Sequence, residues 1–193
     1  MSDAAGGFRR VEESEIHQGH VWRLVNATFE DPGGTRFDRD IVRSPGAVGV
    51  VPLLFDAEGT PAVVLVRQWR APYETELWEI PAGMRDVPGE PPIETARREL
   101  AEEVGYRASE YVPLIDLLPS PGLTDAVTSV FLATGLDEVE RSLHGPEEEH
   151  MTVELVPLDV AVDMVERGEI RDAKTAVGLL LTARRVSRGD HDG

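Results

Sequence analysis

Three glutamates in one short segment, Glu99, Glu102 and Glu103, are the residues best suited to do chemistry. If the segment is an α-helix, the spacings i, i+3 and i+4 place all three carboxylates on one face. Like charges at these spacings repel one another by about 0.2–0.5 kcal/mol per pair. Such a face is either solvated or used to bind cations, because hard divalent ions such as Mg²⁺ prefer oxygen ligands and bridge carboxylates to substrate phosphates. The spacing therefore indicates a solvated acidic surface or a divalent-metal site.

The residues around the glutamates favour the metal site. A helix is predicted from Pro92 to Val104, because a Pro/Gly-rich loop precedes it and Gly105 occupies the position at which helices commonly end. The apolar face of this helix is formed by Ile93, Ala96, Leu100 and Val104. A short strand, LWEIPAGM, is predicted before the loop, which gives a strand–loop–helix order.

The spacing of this region matches a known signature. After Gly83 come six residues, Glu90, seven residues, and then the run Arg98-Glu99-Leu100-Ala101-Glu102-Glu103-Val104-Gly105-Tyr106. The pattern resembles the Nudix box, which reads glycine, five residues, glutamate, seven residues, then Arg-Glu-aliphatic-any-Glu-Glu-any-Gly-aliphatic. The chain departs from it in a loop longer by one residue and in Tyr106, and neither departure touches the Arg-Glu…Glu-Glu…Gly core.

The resemblance implies a fold and a reaction. The fold is α/β (α+β), an α/β/α sandwich around a mixed sheet, here with a small N-terminal antiparallel β unit. The family hydrolyses nucleoside diphosphates linked to a further moiety, and uses one to three Mg²⁺ or Mn²⁺ ions. By resemblance, Glu99 and Glu103 would ligate metal, Glu102 would ligate it or support the ligands, and Arg98 would orient the carboxylates.

Two further parts of the site lie outside this helix. The backbone carbonyl of Ala82 would add an oxygen ligand. A base must also take the proton of the attacking water. In the ADP-ribose pyrophosphatase branch it comes from a loop beyond the box, and Glu147, Glu148 and Glu149 lie in the corresponding acidic segment. Glu147 or Glu149 is the favoured base, and Glu149 is also a candidate metal ligand. A solvated loop is the alternative interpretation of this triplet.

Features outside the box are similar to the ADP-ribose pyrophosphatase branch. Pro121 lies sixteen residues past Gly105, at a position that marks this branch. The branch forms homodimers that exchange the N-terminal unit, so the resemblance implies a homodimer whose substrate site borrows residues from the partner. The substrate-binding candidates are Arg39, Arg70, Trp22, Pro121 and Gly122. One departure concerns Ala126, because relatives have a glutamate after the Ser-Pro-Gly turn.

The chain is predicted to contain three segments. Residues 1–43 form the N-terminal β unit, with extended segments on either side of the turn Asp31-Pro32-Gly33-Gly34. Residues 44–188 form the hydrolase domain, in which strands alternate with helices. Residues 189–193 are predicted to be a disordered tail.

Composition excludes several classes of protein. The net charge of −17, from 36 acidic and 19 basic residues, argues against a nucleic-acid partner. No apolar run approaches the roughly 20 residues that span a bilayer, and the first twenty residues contain no apolar core of signal-peptide length. The absence of cysteine excludes thiolate chemistry and fits a soluble, cytoplasmic protein.

The resemblance thus implies an enzyme that cleaves ADP-ribose to AMP and ribose 5-phosphate. One alternative keeps the chemistry and changes the substrate to a nucleotide sugar, NADH or a dinucleotide. A second alternative is a non-catalytic nucleotide sensor, although such folds usually lose the box glutamates. A third, an acidic structural scaffold, predicts no dependence on metal at all.

Overall fold

The computed structural model describes residues 5–142 and 150–190. Residues 191–193 of the predicted tail lie outside this range. The chain divides into two compact units, one formed by Met1–Gly46 with Leu118–Val127 and the other by Ala47–Leu117 with Thr128–Gly193.

The first unit contains an antiparallel sheet of three strands, in the order β1-β2-β3. The strands are β1 (Arg9–Gln18), β2 (Arg23–Glu30) and β3 (Arg36–Arg43). The turn between β2 and β3 forms because the Asp31 carboxylate accepts hydrogen bonds from the backbone N–H groups of Gly33 and Thr35, both at 2.8 Å. The segment 118–127 joins this unit through a bridge between Thr124 and Val42 of β3.

The second unit contains a mixed sheet of seven strands, in which β10, β5, β4, β9 and β8 lie in that order. The strands are β4 (Ala47–Phe55), β5 (Pro61–Arg70), β6 (Thr75–Glu79), β7 (Ala82–Met84), β8 (Tyr106–Leu117), β9 (Thr128–Glu138) and β10 (Thr152–Pro157). The two remaining strands pair at the side of this row, β6 with β5 and β7 with β4. The pair β4–β9 is parallel, and the other pairs are antiparallel. The expectation of a mixed sheet is confirmed.

Helices cover both faces of this sheet. They are α1 (Pro92–Val104), α2 (Leu158–Glu166) and α3 (Ala173–Val186). Alternate residues of β4 point to opposite faces, so that Val48 and Val50 pack with α1 while Val51 and Leu53 pack with α2 and α3. The predicted α/β/α arrangement and the predicted limits of α1 are both observed. Nowhere in residues 5–142 and 150–190 is a helix long and apolar enough to cross a membrane.

The segment LWEIPAGM differs from the single strand that the sequence predicts. β6 ends at Glu79 and pairs with β5, whereas β7 begins at Ala82 and pairs with β4. Pro81 has no backbone N–H to donate, which favours a break in the strand at this point. Its carbonyl still accepts a hydrogen bond of 2.9 Å from Val50. The chain therefore changes its pairing partner immediately before Gly83.

Candidate active site

The box residues gather around one polar cleft of about 350 Å³ in the second unit. The cleft is lined by Gln68, Arg70, Ala82, Gly83, Met84, Asp86, Arg98, Glu99, Glu102 and Glu103. These residues come from β5, β7, the loop that follows β7, and α1. Six predicted site residues of the second unit are thus brought together: Arg70, Ala82, Arg98, Glu99, Glu102 and Glu103.

The packing of α1 determines how far each glutamate is buried. Ala96 and Leu100 are fully buried in the core, and this fixes the rotation of the helix about its axis. Glu99 and Glu103 are consequently buried, at 8% and 4% exposure, whereas Glu102 is only partly buried. Burial of ionised carboxylates is unfavourable unless they are paired or coordinate a metal. The two buried glutamates therefore need compensating partners.

The strand β7 supplies part of that compensation through its backbone. The N–H of Ala82 donates a hydrogen bond of 2.9 Å to Glu103 Oε2. Next to it, a β-carbon at Gly83 would lie 2.0 Å from Cδ of Glu99. Only glycine leaves space for the carboxylate, and this explains why the box begins with glycine.

Arg98 provides further compensation and connects the loop to the helix. Its Nη1 lies 2.7 Å from Glu99 Oε1 and 3.2 Å from Glu102 Oε2. Its Nη2 lies 3.5 Å from carboxylate oxygens of both Asp86 and Glu90. Burial lowers the pKa of the guanidinium, but the surrounding carboxylates outweigh this effect and raise it. Arg98 therefore remains charged and pairs with two box carboxylates.

The donor set fits a hard divalent cation. Carboxylates and a backbone carbonyl are the oxygen ligands that Mg²⁺ and Mn²⁺ prefer. Within residues 5–142 and 150–190, no three Asp, Glu or His side chains already stand together as a set that could hold a metal ion. The box carboxylates instead face Arg98 and the Ala82 amide. The candidate residues Glu147, Glu148 and Glu149 lie outside the described residues.

A buried ion-pair network that the sequence analysis did not identify supports Arg70. Its Nε and Nη2 donate to Glu79 at 2.6 and 2.7 Å. The same carboxylate contacts Lys174 Nζ, which also lies 3.0 Å from Asp172 Oδ2. Burial raises the pKa of Glu79, but Arg70 and Lys174 outweigh it, and the pKa lies below its usual range. The sequence signal for this network is Glu79, a charged residue within the largely apolar segment LWEIPAG.

The remaining substrate candidates belong to the first unit. Arg39, Pro121 and Gly122 line a cleft of about 430 Å³, together with Phe29, Phe37, Ile41, Arg43, Leu123, Thr124 and Asp125. The Arg39 guanidinium lies 4.8 Å from the centroid of the Phe37 ring. Trp22 lines a different cleft, of about 300 Å³, and its ring lies 5.9 Å from that of His17. The structure thus brings three of these four residues together in one cleft, and Trp22 lines another.

Comparison with known proteins identifies the class to which this fold and this box belong. Residues 43–177 match the family model described as NUDIX domain, and the chain belongs to this family. Nudix hydrolases generally need a divalent metal.

Among curated proteins, the chain is 40% identical over 173 residues to an ADP-ribose pyrophosphatase of Mycobacterium tuberculosis, an alignment that covers 90% of this chain and 82% of that protein. It is 36% identical over 171 residues to an ADP-ribose pyrophosphatase of Bacillus subtilis, covering 89% of this chain and 90% of the relative. A crystal structure of an ADP compounds hydrolase superposes with a TM-score of 0.78 at 23% identity, over 95% of this chain and 96% of the other. That likeness concerns the fold.

Proposed function

We propose that this Nudix hydrolase cleaves the diphosphate of ADP-ribose and releases AMP and ribose 5-phosphate. The observation that carries the proposal is the pair of buried glutamates, Glu99 and Glu103, beside Gly83 and Ala82 in a polar cleft. The two ADP-ribose pyrophosphatases at 40% and 36% identity support the choice of substrate.

The proposed roles of the cleft residues follow from their chemistry. Glu99, Glu103 and the carbonyl of Ala82 would hold Mg²⁺ or Mn²⁺, one to three ions in all, with Glu102 as a further ligand or a support. When bound, such ions neutralise the two phosphates, lower the pKa of a bound water and stabilise the charge that develops as the P–O–P bond breaks. Arg98 would hold the carboxylates in place.

Two proposed roles concern proton transfer and substrate contact. Glu147 or Glu149 would accept the proton of the attacking water, with Glu148 the third member of the triplet. Arg70 would contact oxygens of the diphosphate, since it lines the cleft and its Nη1 takes no part in the pairing with Glu79. Arg39, Trp22, Pro121 and Gly122 would contact the remainder of the substrate.

The test is a set of nucleoside-diphosphate compounds with products identified by mass spectrometry. ADP-ribose with Mg²⁺ should yield AMP and ribose 5-phosphate, and a chelator should abolish the reaction. Turnover of a nucleotide sugar, NADH or a dinucleotide in place of ADP-ribose would refute the substrate and leave the class intact. Nucleotide binding without turnover of any compound would instead indicate a sensor.

A pair of variants on α1 tests the role of the box. Glu103→Gln keeps the size of a buried side chain and removes its charge, and should lower kcat by at least about a hundredfold, as for loss of one well-placed electrostatic group. Glu94→Gln is the matched control, because Glu94 lies on the same helix, is exposed, and pairs with Arg97. Equal activity of the two variants would contradict the metal-dependent mechanism.

The proposed assembly is a homodimer in which the N-terminal unit, residues 1–43, contributes to the interface or is exchanged. Light scattering on a size-exclusion column tests this assembly, and a mass near the 21.2 kDa of one chain would contradict it. The proposed compartment is the cytoplasm, in keeping with a chain that contains no cysteine.

A further inference from the structure

The guanidinium of Arg70 pairs with one carboxylate, that of Glu79. Both oxygens of Glu79 accept from it, through Nε at 2.6 Å and Nη2 at 2.7 Å. This two-point pairing fixes the plane of the guanidinium as well as its position. Arg70 is the last residue of β5 and lines the cleft together with Glu99 and Glu103.

Glu79 is so deeply buried that its carboxylate needs a second cationic partner besides Arg70. The residue is 2% exposed, and a buried carboxylate with a single cationic partner is a costly arrangement. Lys174 supplies the second cation at Glu79 Oε2, the oxygen that Arg70 Nη2 also uses. The carboxylate of Glu79 thus pairs with two positive charges.

The position of Lys174 is itself fixed by the start of α3. Asp172 caps this helix, since its Oδ2 accepts from the backbone N–H of Thr175 at 3.0 Å and from the hydroxyl of Thr175 at 2.6 Å. The same carboxylate lies 3.0 Å from Lys174 Nζ. The Thr175 hydroxyl also accepts a hydrogen bond of 2.9 Å from the N–H of Ile80, the residue that follows Glu79. The N-terminal turn of α3 therefore contacts both the carboxylate and the backbone beside it.

We propose that Lys174 is a positioning residue for the substrate diphosphate, because it holds Glu79 in the orientation that presents Arg70 to the cleft. The inference rests on the proposed function in assuming that the ligand of Arg70 is a diphosphate. Lys174 does not line the cleft, so it acts on the substrate only through Glu79 and Arg70. Its removal releases the carboxylate, and Arg70 loses its fixed plane.

Steady-state kinetics distinguish this role from a purely structural one. Lys174→Met keeps the length of the side chain and removes its charge; KM for ADP-ribose should rise about tenfold while kcat changes less than about threefold, the pattern of lost substrate binding. Lys174→Arg should restore most of the lost affinity, because it replaces the cation. Arg167→Met, which removes an exposed arginine paired with Asp163 and Glu169, is the control and should change neither constant.

A double-mutant cycle tests the route through Glu79. Glu79→Gln alone should also raise KM, and Lys174→Met should raise it little further in that background, because coupled residues do not add. Additive effects, an unchanged KM in Lys174→Met, or a fall in kcat alone would overturn the inference.

A binding measurement separates this inference from the proposed substrate. Inorganic pyrophosphate with Mg²⁺ is titrated into wild type and Lys174→Met by calorimetry, and wild type should bind it about tenfold more tightly. If wild type cleaves no ADP-ribose, the proposed function fails, while this comparison still decides the role of Lys174. Equal affinities, or no binding to wild type, would overturn the positioning role.

Discussion

A β-carbon at Gly83 would lie 2.0 Å from the carboxylate carbon of Glu99, so the strand β7 and the helix α1 touch where the glycine begins the box. Gly83→Ala should therefore displace the Glu99 carboxylate and lower kcat/KM by about a hundredfold or more. Gly33→Ala is the control, since its β-carbon meets only the Asp31 carboxylate, at 3.3 Å. Full activity of Gly83→Ala would show that the close contact has no role in the reaction.

The hydroxyl of Thr175 is the acceptor for a buried backbone N–H, that of Ile80, at 2.9 Å. Thr175→Val leaves this donor without its partner, and the free energy of unfolding should fall by about 1–3 kcal/mol. Thr182 provides a matched control on α3, because it is equally buried and its Oγ1 has no hydrogen-bond partner among the described residues. Urea unfolding should show Thr182→Val to be neutral or more stable, and equal losses in the two variants would contradict the account.

The lowered pKa of Glu79 predicts how stability depends on pH. Burial alone would raise this pKa, but Arg70 and Lys174 bring it below its usual range. The unfolded chain then binds a proton more readily than the folded chain, so the stabilisation is present above about pH 4.3, the ordinary value for glutamate, and is lost as the pH falls through the folded-state pKa. The difference in unfolding free energy between wild type and Glu79→Gln should narrow on acidification. A difference that stays constant down to pH 3 would contradict the prediction.

The sequence predicts the elements whose signals are local. The limits of α1 follow from its apolar periodicity and from Gly105, which ends it at a φ of 72°. β1 has no such signal, because its sequence RRVEESEIHQ is charged on both faces and only two of its residues are even partly buried. The division between β6 and β7 depends on which strand each one pairs with, and this is a property of the whole sheet.

The candidate site likewise contains residues that the local sequence predicts to lie together and residues that only the fold brings together. Glu99, Glu102 and Glu103 are close in the sequence, so helical geometry alone predicts that they lie together. Glu79 and Lys174 are separated by 95 residues, and only the packing of α3 against the sheet brings them into contact. A lysine at the start of a helix is ordinarily solvated, and nothing local distinguishes Lys174 from such a residue.

Arg39 lines the cleft of about 430 Å³ in the first unit. Its guanidinium lies over the Phe37 ring at 4.8 Å, in a cleft that Pro121 and Gly122 also line. If this cleft binds part of the substrate, Arg39→Ala removes a cation and should raise KM for ADP-ribose about tenfold with little change in kcat. Arg36→Ala is the control, because Arg36 lies on the same strand, is exposed, and pairs with Glu30. An unchanged KM in Arg39→Ala would remove this cleft from the substrate site, and equal increases in both variants would indicate a general effect of positive charge.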